Sequence, residues 1–363
     1  MRFLVFTGLT AVLLTGCGEF KMPATGPDDE IAVFADDTTW QTLEPILRQV
    51  FEDTVWTPQP ESWFTLKRVP FEEWGDYEKR KNRMIVGPLD GTGAVSSYIR
   101  NSLDSTVTNL VLEGKEFVFN KYDSRARGQL LMFLTAQDLK TLGGAIAGKA
   151  SELSYYFRRM SLRRELADIA EEAAYHKRDI SRHLARTYGW TMTIQHDYHV
   201  AIDSAEARFF WIRRATPADM ERWIFIHWRD ISDPGILTDQ YVLALRDSVT
   251  RTFLRTVGDD AFVEIAPYHL KIEKVNFLER FAYETRGNWR FSDKSGGGPF
   301  VNYTFYDPST RRLYMLDGSV FAPRVEKKKL ILQVDALLQT FRTVVELSEE
   351  EREELGLRKG AGN

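Results

Sequence analysis

The sequence predicts an α+β fold with mostly antiparallel sheets and packed helices. Three observations lead to this class. Segments with strand-like alternation are mixed along the chain with segments of helical periodicity, turn residues recur between neighbouring strands, and residues 153–188 contain neither Gly nor Pro. Strands joined by short turns pair antiparallel, and their mixture with helices is typical of α+β proteins.

The first half of the chain predicts strands interspersed with helices. The short helix ending at Phe51 is expected to tolerate Pro45 in its first turn, and Thr135 is a plausible N-cap for a later helix. In order, we expect a strand at 31–36, a helix at 43–51, the strands WFTLKRV and RMIVGPL, a helix at 95–103, a hairpin in EFVFNKYDSRARGQLLMFL that turns near Asp123 and Ser124, and a helix after Thr135.

The second half begins with the longest helical pattern. Apolar residues recur at helical spacing from Leu153 to Tyr188, which predicts one long amphipathic helix or two in series, stopped by Gly189. Thr238 is placed to cap a later helix. In order, we then expect the strands TMTIQHDYHVAID, ARFFWIRRA and ERWIFIHWRD, a helix at 239–257, the strands AFVEIA and RFAYETRGNWRF, a hairpin in FVNYTFYDPSTRRLYML, a helix at 327–345, and a short acidic helix with a capping box at Ser348 and Glu351.

A weak internal repeat suggests two similar modules that arose by duplication. Tyr122, Asp123 and Arg127 align with Tyr306, Asp307 and Arg311 at a constant offset that also carries Leu153, Phe157 and Arg158 onto Leu337, Phe341 and Arg342. Chance similarity of helix and strand patterns is the alternative. If the repeat is real, a cleft between two facing modules is the natural place for a site.

The amino terminus has the layout of an export signal. Arg2 precedes an apolar run at 3–14 that is too short to span a bilayer, which needs roughly 20 apolar residues. The tetrad Leu14-Thr15-Gly16-Cys17 resembles the bacterial lipobox, so we expect cleavage before Cys17 and its acylation. Gly18 stands where many inner-membrane lipoproteins have aspartate. We therefore expect a lipid-anchored protein at the outer membrane, facing the periplasm.

These patterns predict a domain organisation. We expect a lipoprotein signal peptide at 1–16, a lipid-anchored tether at 17–30, an N-terminal α+β module at 31–160, a long connecting helix at 161–189, a C-terminal α+β module at 190–345, and an acidic helix and tail at 346–363. The net charge of −4 argues against nucleic-acid binding, which normally needs a clearly basic protein.

One stretch has the spacing of a nucleotide-binding loop. In LGGAIAGKAS, the residues Gly143, Gly148 and Lys149 match G-x-x-x-x-G-K, but Ala150 occupies the position of the Ser or Thr that binds magnesium. No strand leads directly into the glycines. We therefore expect no nucleotide, and small residues where a helix begins and packs closely.

No known catalytic or metal-binding motif is present. Glu172, His176, Asp179 and His183 could share one helical face, but their charged surroundings favour a solvated, salt-bridged face over a metal site. We expect no cofactor and no metal. Carboxylates distant in sequence could still act together in hydrolysis.

The candidate binding site lies in ETRGNWR and the glycine-rich turn after it. Arginine side chains bind carboxylates, and tryptophan offers a flat apolar face. The alternative is that Trp289 belongs to the core and the arginines are solvated. The candidate ligand- or partner-binding residues are Arg246, Asp247, Glu284, Arg286, Trp289 and Arg290.

A family resemblance emerges from an ordered set of motifs. ALRDSV, ETRGNWR, GGPFVNY and DGSVFAP, together with the lipobox, look like a family of Bacteroidetes lipoproteins classed as a domain of unknown function. The resemblance is clearest from Thr191 to Arg342. It implies an exported lipoprotein of mixed α/β structure and supplies no catalytic residues.

The function expected from the sequence is therefore non-catalytic binding or assembly in the cell envelope. The partners would be the lipid bilayer through acylated Cys17 and an envelope protein or glycan. The alternative is an envelope hydrolase that acts on glycan or peptide in a cleft between the modules.

Overall fold

The computed structural model describes residues 21–215 and 220–357, which form two α+β units. Within these ranges, no helix combines the length and apolar character needed to cross a bilayer. Mixed helices and strands confirm the α+β class.

The first unit contains a five-stranded sheet flanked by helices on both faces. The sheet order is β4-β1-β5-β7-β6, and only β6 runs antiparallel to its neighbour. The strands are β1 (Glu30–Phe34), β2 (Thr54–Val55), β3 (Glu61–Ser62), β4 (Thr65–Arg68), β5 (Asn82–Val86), β6 (Val118–Tyr122) and β7 (Leu130–Leu134), and the helices are α1 (Asp37–Phe51), α2 (Ala94–Ser102), α3 (Ser105–Leu112), α4 (Leu139–Gly148) and α5 (Ala150–Glu171).

Both faces of this first sheet are buried. Met84 and Val86 on β5 pack into the core under α1, α4 and α5, whereas Ile85 faces a second core with Val95 and Ile99 of α2. Strands covered on both faces can be apolar at nearly every position, because no side faces water. This explains why continuous apolar runs, rather than alternating ones, mark β5 and β7.

The second unit is built on a large antiparallel sheet. Its order is β12-β14-β15-β16-β11-β10-β9, and β13 also pairs with β14. The strands are β8 (Trp190–Thr191), β9 (His199–Ser204), β10 (Phe209–Arg214), β11 (Glu221–Asp230), β12 (Val263–Ile265), β13 (Lys271–Phe277), β14 (Arg280–Phe291), β15 (Gly297–Asp307), β16 (Arg312–Phe321) and β17 (Arg342–Thr343), and the helices are α6 (Arg178–Tyr188), α7 (Asp239–Phe253), α8 (Lys328–Leu338) and α9 (Glu349–Glu354).

Helices cover the two faces of this second sheet. α7 packs with Trp289, Phe300 and Met315 on one face, and α8 packs with Phe305 and Leu316 on the other. Backbones approach most closely in the motif GGPFVNY at Gly298, where an added Cβ would lie 1.9 Å from the carbonyl oxygen of Val320. Only glycine fits at this position, because any side chain would collide with the neighbouring backbone.

A carboxylate from the first unit caps the first turn of a helix in the second. The Glu61 carboxylate accepts hydrogen bonds from the backbone amides of Lys327 (2.7 Å) and Lys328 (2.9 Å) at the start of α8. The ammonium of Lys328 also lies 3.0 Å from the Asp29 carboxylate. α5 of the first unit packs directly against α8. The two units are thus joined by specific polar and packing contacts.

Three predicted helix ends, marked by Thr238, Gly189 and Ser348, are confirmed. The Thr238 hydroxyl accepts from the Tyr241 amide, Gly189 ends α6 in the left-handed region at φ 80°, and Ser348 forms the predicted capping box of α9. Leu153 to Tyr188 forms two helices in series, α5 and α6, which was one of the two alternatives.

Several predicted boundaries are wrong, among them the end of the helix expected at 239–257, which stops at Phe253. α1 begins at Asp37, so Pro45 lies inside the helix rather than in its first turn. Asp138, not Thr135, caps α4 by accepting from the Thr141 amide. The last predicted helix stops at Leu338, because the chain then extends to pair β17 with β8.

The two units share less than the sequence repeat suggested. In each unit an antiparallel hairpin, β6–β7 or β15–β16, is followed by a helix that packs on the sheet. The remaining pairing differs, since the first sheet is mainly parallel and the second is antiparallel throughout. Antiparallel pairs therefore predominate among the described strands, as expected, and the parallel pairs are confined to the first sheet. Because the two sheets differ in topology, they give no support to a duplication.

Candidate functional site

The structure does not bring the six predicted binding residues together in one open site. Arg246 lies on α7, 1% exposed, and its guanidinium is 2.7 Å from the Asp317 carboxylate inside the second unit. Asn302 and Ser319 also donate to Asp317. Arg246 is therefore committed to a buried intramolecular pair, which is a structural role.

Three more of the predicted residues are engaged within the second unit. Trp289 is completely buried, and its indole nitrogen donates to the Val320 carbonyl at 3.2 Å, so it offers no face to a ligand. The Asp247 carboxylate accepts from the Ile265 amide at 2.8 Å, and Arg290 pairs with Glu264. The prediction that Trp289 contacts a ligand is wrong, because the second core encloses the ring.

Glu284 and Arg286 lie on β14 beside the first unit. Arg286 pairs with both Glu284 and Asp335, and the Tyr303 hydroxyl donates to the same Asp335 carboxylate at 2.9 Å. Burial alone would lower the pKa of Arg286, but the charges of Glu284 and Asp335 outweigh it and raise that pKa well above the usual value. Glu284 and Arg286 therefore form a compact charge network at the junction of the units.

An exposed aromatic surface lies beside this network. We define the junction patch as Trp56 from the β2–β3 hairpin with Tyr268, His269 and Leu270 from the segment before β13. The Trp56 and His269 rings stack with centroids 3.9 Å apart and planes 2° apart, and Tyr268 packs edge-on against His269. Trp56 and Tyr268 are 47% and 46% exposed.

Residues of the predicted motif ETRGNWR contact the junction patch and hold two of its residues in place. The Asn288 side-chain amide donates to the Trp56 carbonyl at 3.1 Å and so links the two units. Leu270 lies directly over Gly287, where a Cβ would come within 2.9 Å of it. Sequence reasoning found the supporting strand but missed Trp56 and Tyr268, which lie outside any motif.

A second candidate is an acidic cleft of about 210 Å³ between the units. Its walls come from α5, residues 195–197, β10 and α8. Burial raises the pKa of Glu165, opposed in part by Lys329, and desolvation followed by the charge of Glu171 raises the pKa of Asp168. A hydrolase in a cleft between the modules was the alternative expected from the sequence, but neither Glu165 nor Asp168 was among its candidate residues.

Other predicted constellations take ordinary structural positions. Gly143 lies inside α4 against Leu43, so the glycines of the loop-like motif are helical. His183 is 2.8 Å from the Asp203 carboxylate on an exposed surface. Among the residues that the structure describes, no three His, Cys, Asp or Glu side chains are grouped to hold a metal ion. Cys17 lies outside the described residues.

Two family models match the chain. Residues 177–340 match a domain of unknown function (DUF4837), and residues 24–170 match another domain of unknown function (DUF8532). The matches meet at the break between α5 and α6. They agree with the resemblance to a family of unknown function, and a search of curated proteins gave no match.

Solved structures show only distant likeness. A Bacteroides thetaiotaomicron protein has 8% identity and a TM-score of 0.26, with 46% of this chain and 47% of that chain covered, so the match spans about half of its length. The Ran-binding protein Mog1p of Saccharomyces cerevisiae has 7% identity and a TM-score of 0.30 (43% and 90% covered). LpqN of Mycobacterium tuberculosis, described as involved in cell envelope biogenesis, has 13% identity and a TM-score of 0.26 (42% and 81% covered). These scores are too low to bear on function.

Proposed function

We propose that this chain is an exported envelope lipoprotein whose folded body binds a partner protein or another envelope component without catalysis. The signal-like amino terminus and the lipobox at Cys17 support export and lipid anchoring at the outer membrane, facing the periplasm. The module boundaries set out from the sequence, with a tether at 17–30 and modules at 31–160 and 190–345, belong to this proposal.

The observation that carries the binding proposal is the junction patch. Trp56 and Tyr268 each expose nearly half of their surface, although apolar cores are available in both units. Exposed aromatic side chains on a rigid support are typical of binding surfaces, because they supply large contact areas at low entropic cost. Asn288 and the stacked His269 hold this surface in place.

The test is partner capture with patch variants. Affinity purification from crosslinked envelopes of the host should recover a reproducible partner with the wild-type chain and lose it with Trp56→Ala/Tyr268→Ala. Tyr175→Ala is the matched control, because Tyr175 is 71% exposed but lies between α5 and α6. Equal capture by the folded patch variant would reject the patch as the contact surface.

Lipid anchoring has a separate test. Cys17→Ala removes the thiol that would receive the diacylglyceryl group, so we expect an uncleaved precursor that takes up no labelled fatty acid. Normal maturation and labelling of that variant would exclude Cys17 as the acylation site, whatever the fate of the binding proposal.

A second candidate function, envelope glycan or peptide hydrolysis, is favoured by the acidic cleft. A carboxyl group whose pKa is raised by burial can act as a general acid. If Glu165 has this role, Glu165→Gln should abolish release of soluble fragments from purified peptidoglycan, whereas Glu152→Gln on the exposed part of the same helix should not. No release by the wild-type chain would exclude this candidate for that substrate.

A further inference from the structure

A separate pocket lies in the first unit, away from the junction patch. It has a volume of about 250 Å³ and opens on the face of the sheet covered by α2 and α3. Its walls combine aromatic and cationic side chains, namely Trp74, Arg83, Tyr98, Lys121, Arg125 and Phe133. None of these residues was among the candidate binding residues, and Arg83, Lys121, Arg125 and Phe133 lie in segments predicted only as strands and turns.

Arg83 is the unusual member of this pocket. It lies in the middle of the sheet on β5, is 1% exposed, and packs its guanidinium carbon 4.4 Å from the Trp74 ring centroid. Its Nε and Nη1 atoms are buried and have no hydrogen-bond partner in the described part of the chain. A buried cation without an acceptor is unfavourable, since it has lost water and gained only a ring contact.

The acidic side chains around Arg83 do not provide its guanidinium with an ion-pair partner. Burial lowers the pKa of Arg83 to about 10, so the side chain is still protonated at neutral pH. Glu78, the acid whose charge acts on Arg83, forms its ion pair with Arg125 at 2.7 Å. Lys121 lies on β6, opposite the same Leu131 that faces Arg83, and adds another positive charge. The pocket thus holds three cations against one carboxylate.

We propose that this pocket binds a small organic anion, whose carboxylate or phosphoryl group pairs with Arg83 and whose apolar part lies against Trp74, Tyr98 and Phe133. An oxyanion would supply the missing acceptors, and charge-assisted hydrogen bonds to a desolvated arginine are among the strongest polar contacts. Lys121 and Arg125 at the rim attract the anion towards Arg83.

The test titrates three probes into the full chain in detergent. Phenyl phosphate, benzoate and inorganic phosphate are compared by calorimetry, which separates the phosphoryl, carboxylate and apolar contributions. We expect saturable binding of at least one ring-bearing probe, and a loss of affinity of at least roughly tenfold in Arg83→Met. Arg127→Met, which removes an exposed arginine from the same unit, should bind as the wild-type chain does.

A stability measurement separates binding from a structural role of Arg83. Without probe, Arg83→Met should be no less stable than the wild-type chain, because it removes a buried cation without a carboxylate partner. If this variant fails to fold, Lys121→Met is measured in its place, because Lys121 is exposed, and this substitution should weaken binding of the probe. Absence of saturable binding up to about 10 mM, where even a weak anion site would fill, overturns the proposal. Unchanged affinity in a folded Arg83→Met or Lys121→Met variant overturns it equally.

Discussion

Glu61→Ala should weaken the joint between the two units. The Glu61 carboxylate accepts from the amides of Lys327, just before α8, and of Lys328, the first residue of α8, and the Thr57 hydroxyl donates to it at 3.0 Å. Lys327, at the N-cap position of α8, provides no side-chain cap of its own. Removal of Glu61 would therefore leave both amides without their acceptor at a partly buried helix end.

The magnitude follows from the two contacts. Loss of one helix-capping hydrogen bond typically lowers the free energy of unfolding by about 1 kcal/mol. Loss of a negative charge at a helix N-terminus lowers it by about 0.3–1 kcal/mol more. With two amides affected, we expect Glu61→Ala to lower the free energy of unfolding by about 2–3 kcal/mol. Glu61→Gln keeps one acceptor oxygen and should lose about half of that.

Urea denaturation followed by circular dichroism measures this change. Glu206→Ala is a suitable control, because Glu206 is exposed in the turn between β9 and β10. A loss below about 0.5 kcal/mol in Glu61→Ala, within the range of ordinary surface substitutions, would mean that Glu61 does not stabilise the start of α8. Cross-unit capping would then contribute little to holding the units together.

Three further predictions concern stability. Gly298→Ala should cost about 2 kcal/mol or more, because its Cβ would collide with the Val320 carbonyl; a thermal melt close to that of the wild-type chain would argue against it. Arg246→Leu should lower the free energy of unfolding in urea by about 3–5 kcal/mol, because it leaves the buried Asp317 carboxylate without its cationic partner. The double variant Arg246→Leu/Asp317→Leu should recover most of this loss, and no recovery would contradict the pairing. Burial raises the pKa of Glu165 above its ordinary 4.5, so its stabilising contribution is present below that pH and lost as pH rises through the folded pKa. Glu165→Gln should therefore gain stability relative to the wild-type chain as pH rises above about 4.5, and a constant difference in urea midpoints would oppose this.

Sequence patterns predicted the elements whose signals are local. Thr238, Gly189 and Ser348 act through their own side chains or backbone freedom, and each marks a helix end where expected. The pairing direction of β5 and β7 could not be read locally, since continuous apolar runs also suit other buried elements. The end of α8 was missed because β17 forms only by pairing with the distant β8.

The candidate sites depended even more on tertiary contacts. ETRGNWR was correctly singled out as unusual, yet the structure uses it for a buried tryptophan, a charge network and the support of Trp56. The aromatic surface itself comes from two segments more than 200 residues apart, which share no sequence signal. The sequence does show that Arg83 is a lone cation at the start of the apolar segment RMIVG. Its lack of a hydrogen-bond partner within the described residues is visible only in the structure.

The most direct test of binding through the junction patch is a map of the crosslinks between the chain and its captured partner. With a lysine-specific crosslinker in intact envelopes, we expect linkages to the partner to concentrate at Lys271, which follows Leu270 at the start of β13 and is exposed. Crosslinks confined to lysines elsewhere, such as Lys140 on α4, would contradict the patch as the contact surface. Recovery of the chain with bound glycan or peptide fragments and no protein partner would contradict partner-protein binding and favour the acidic cleft.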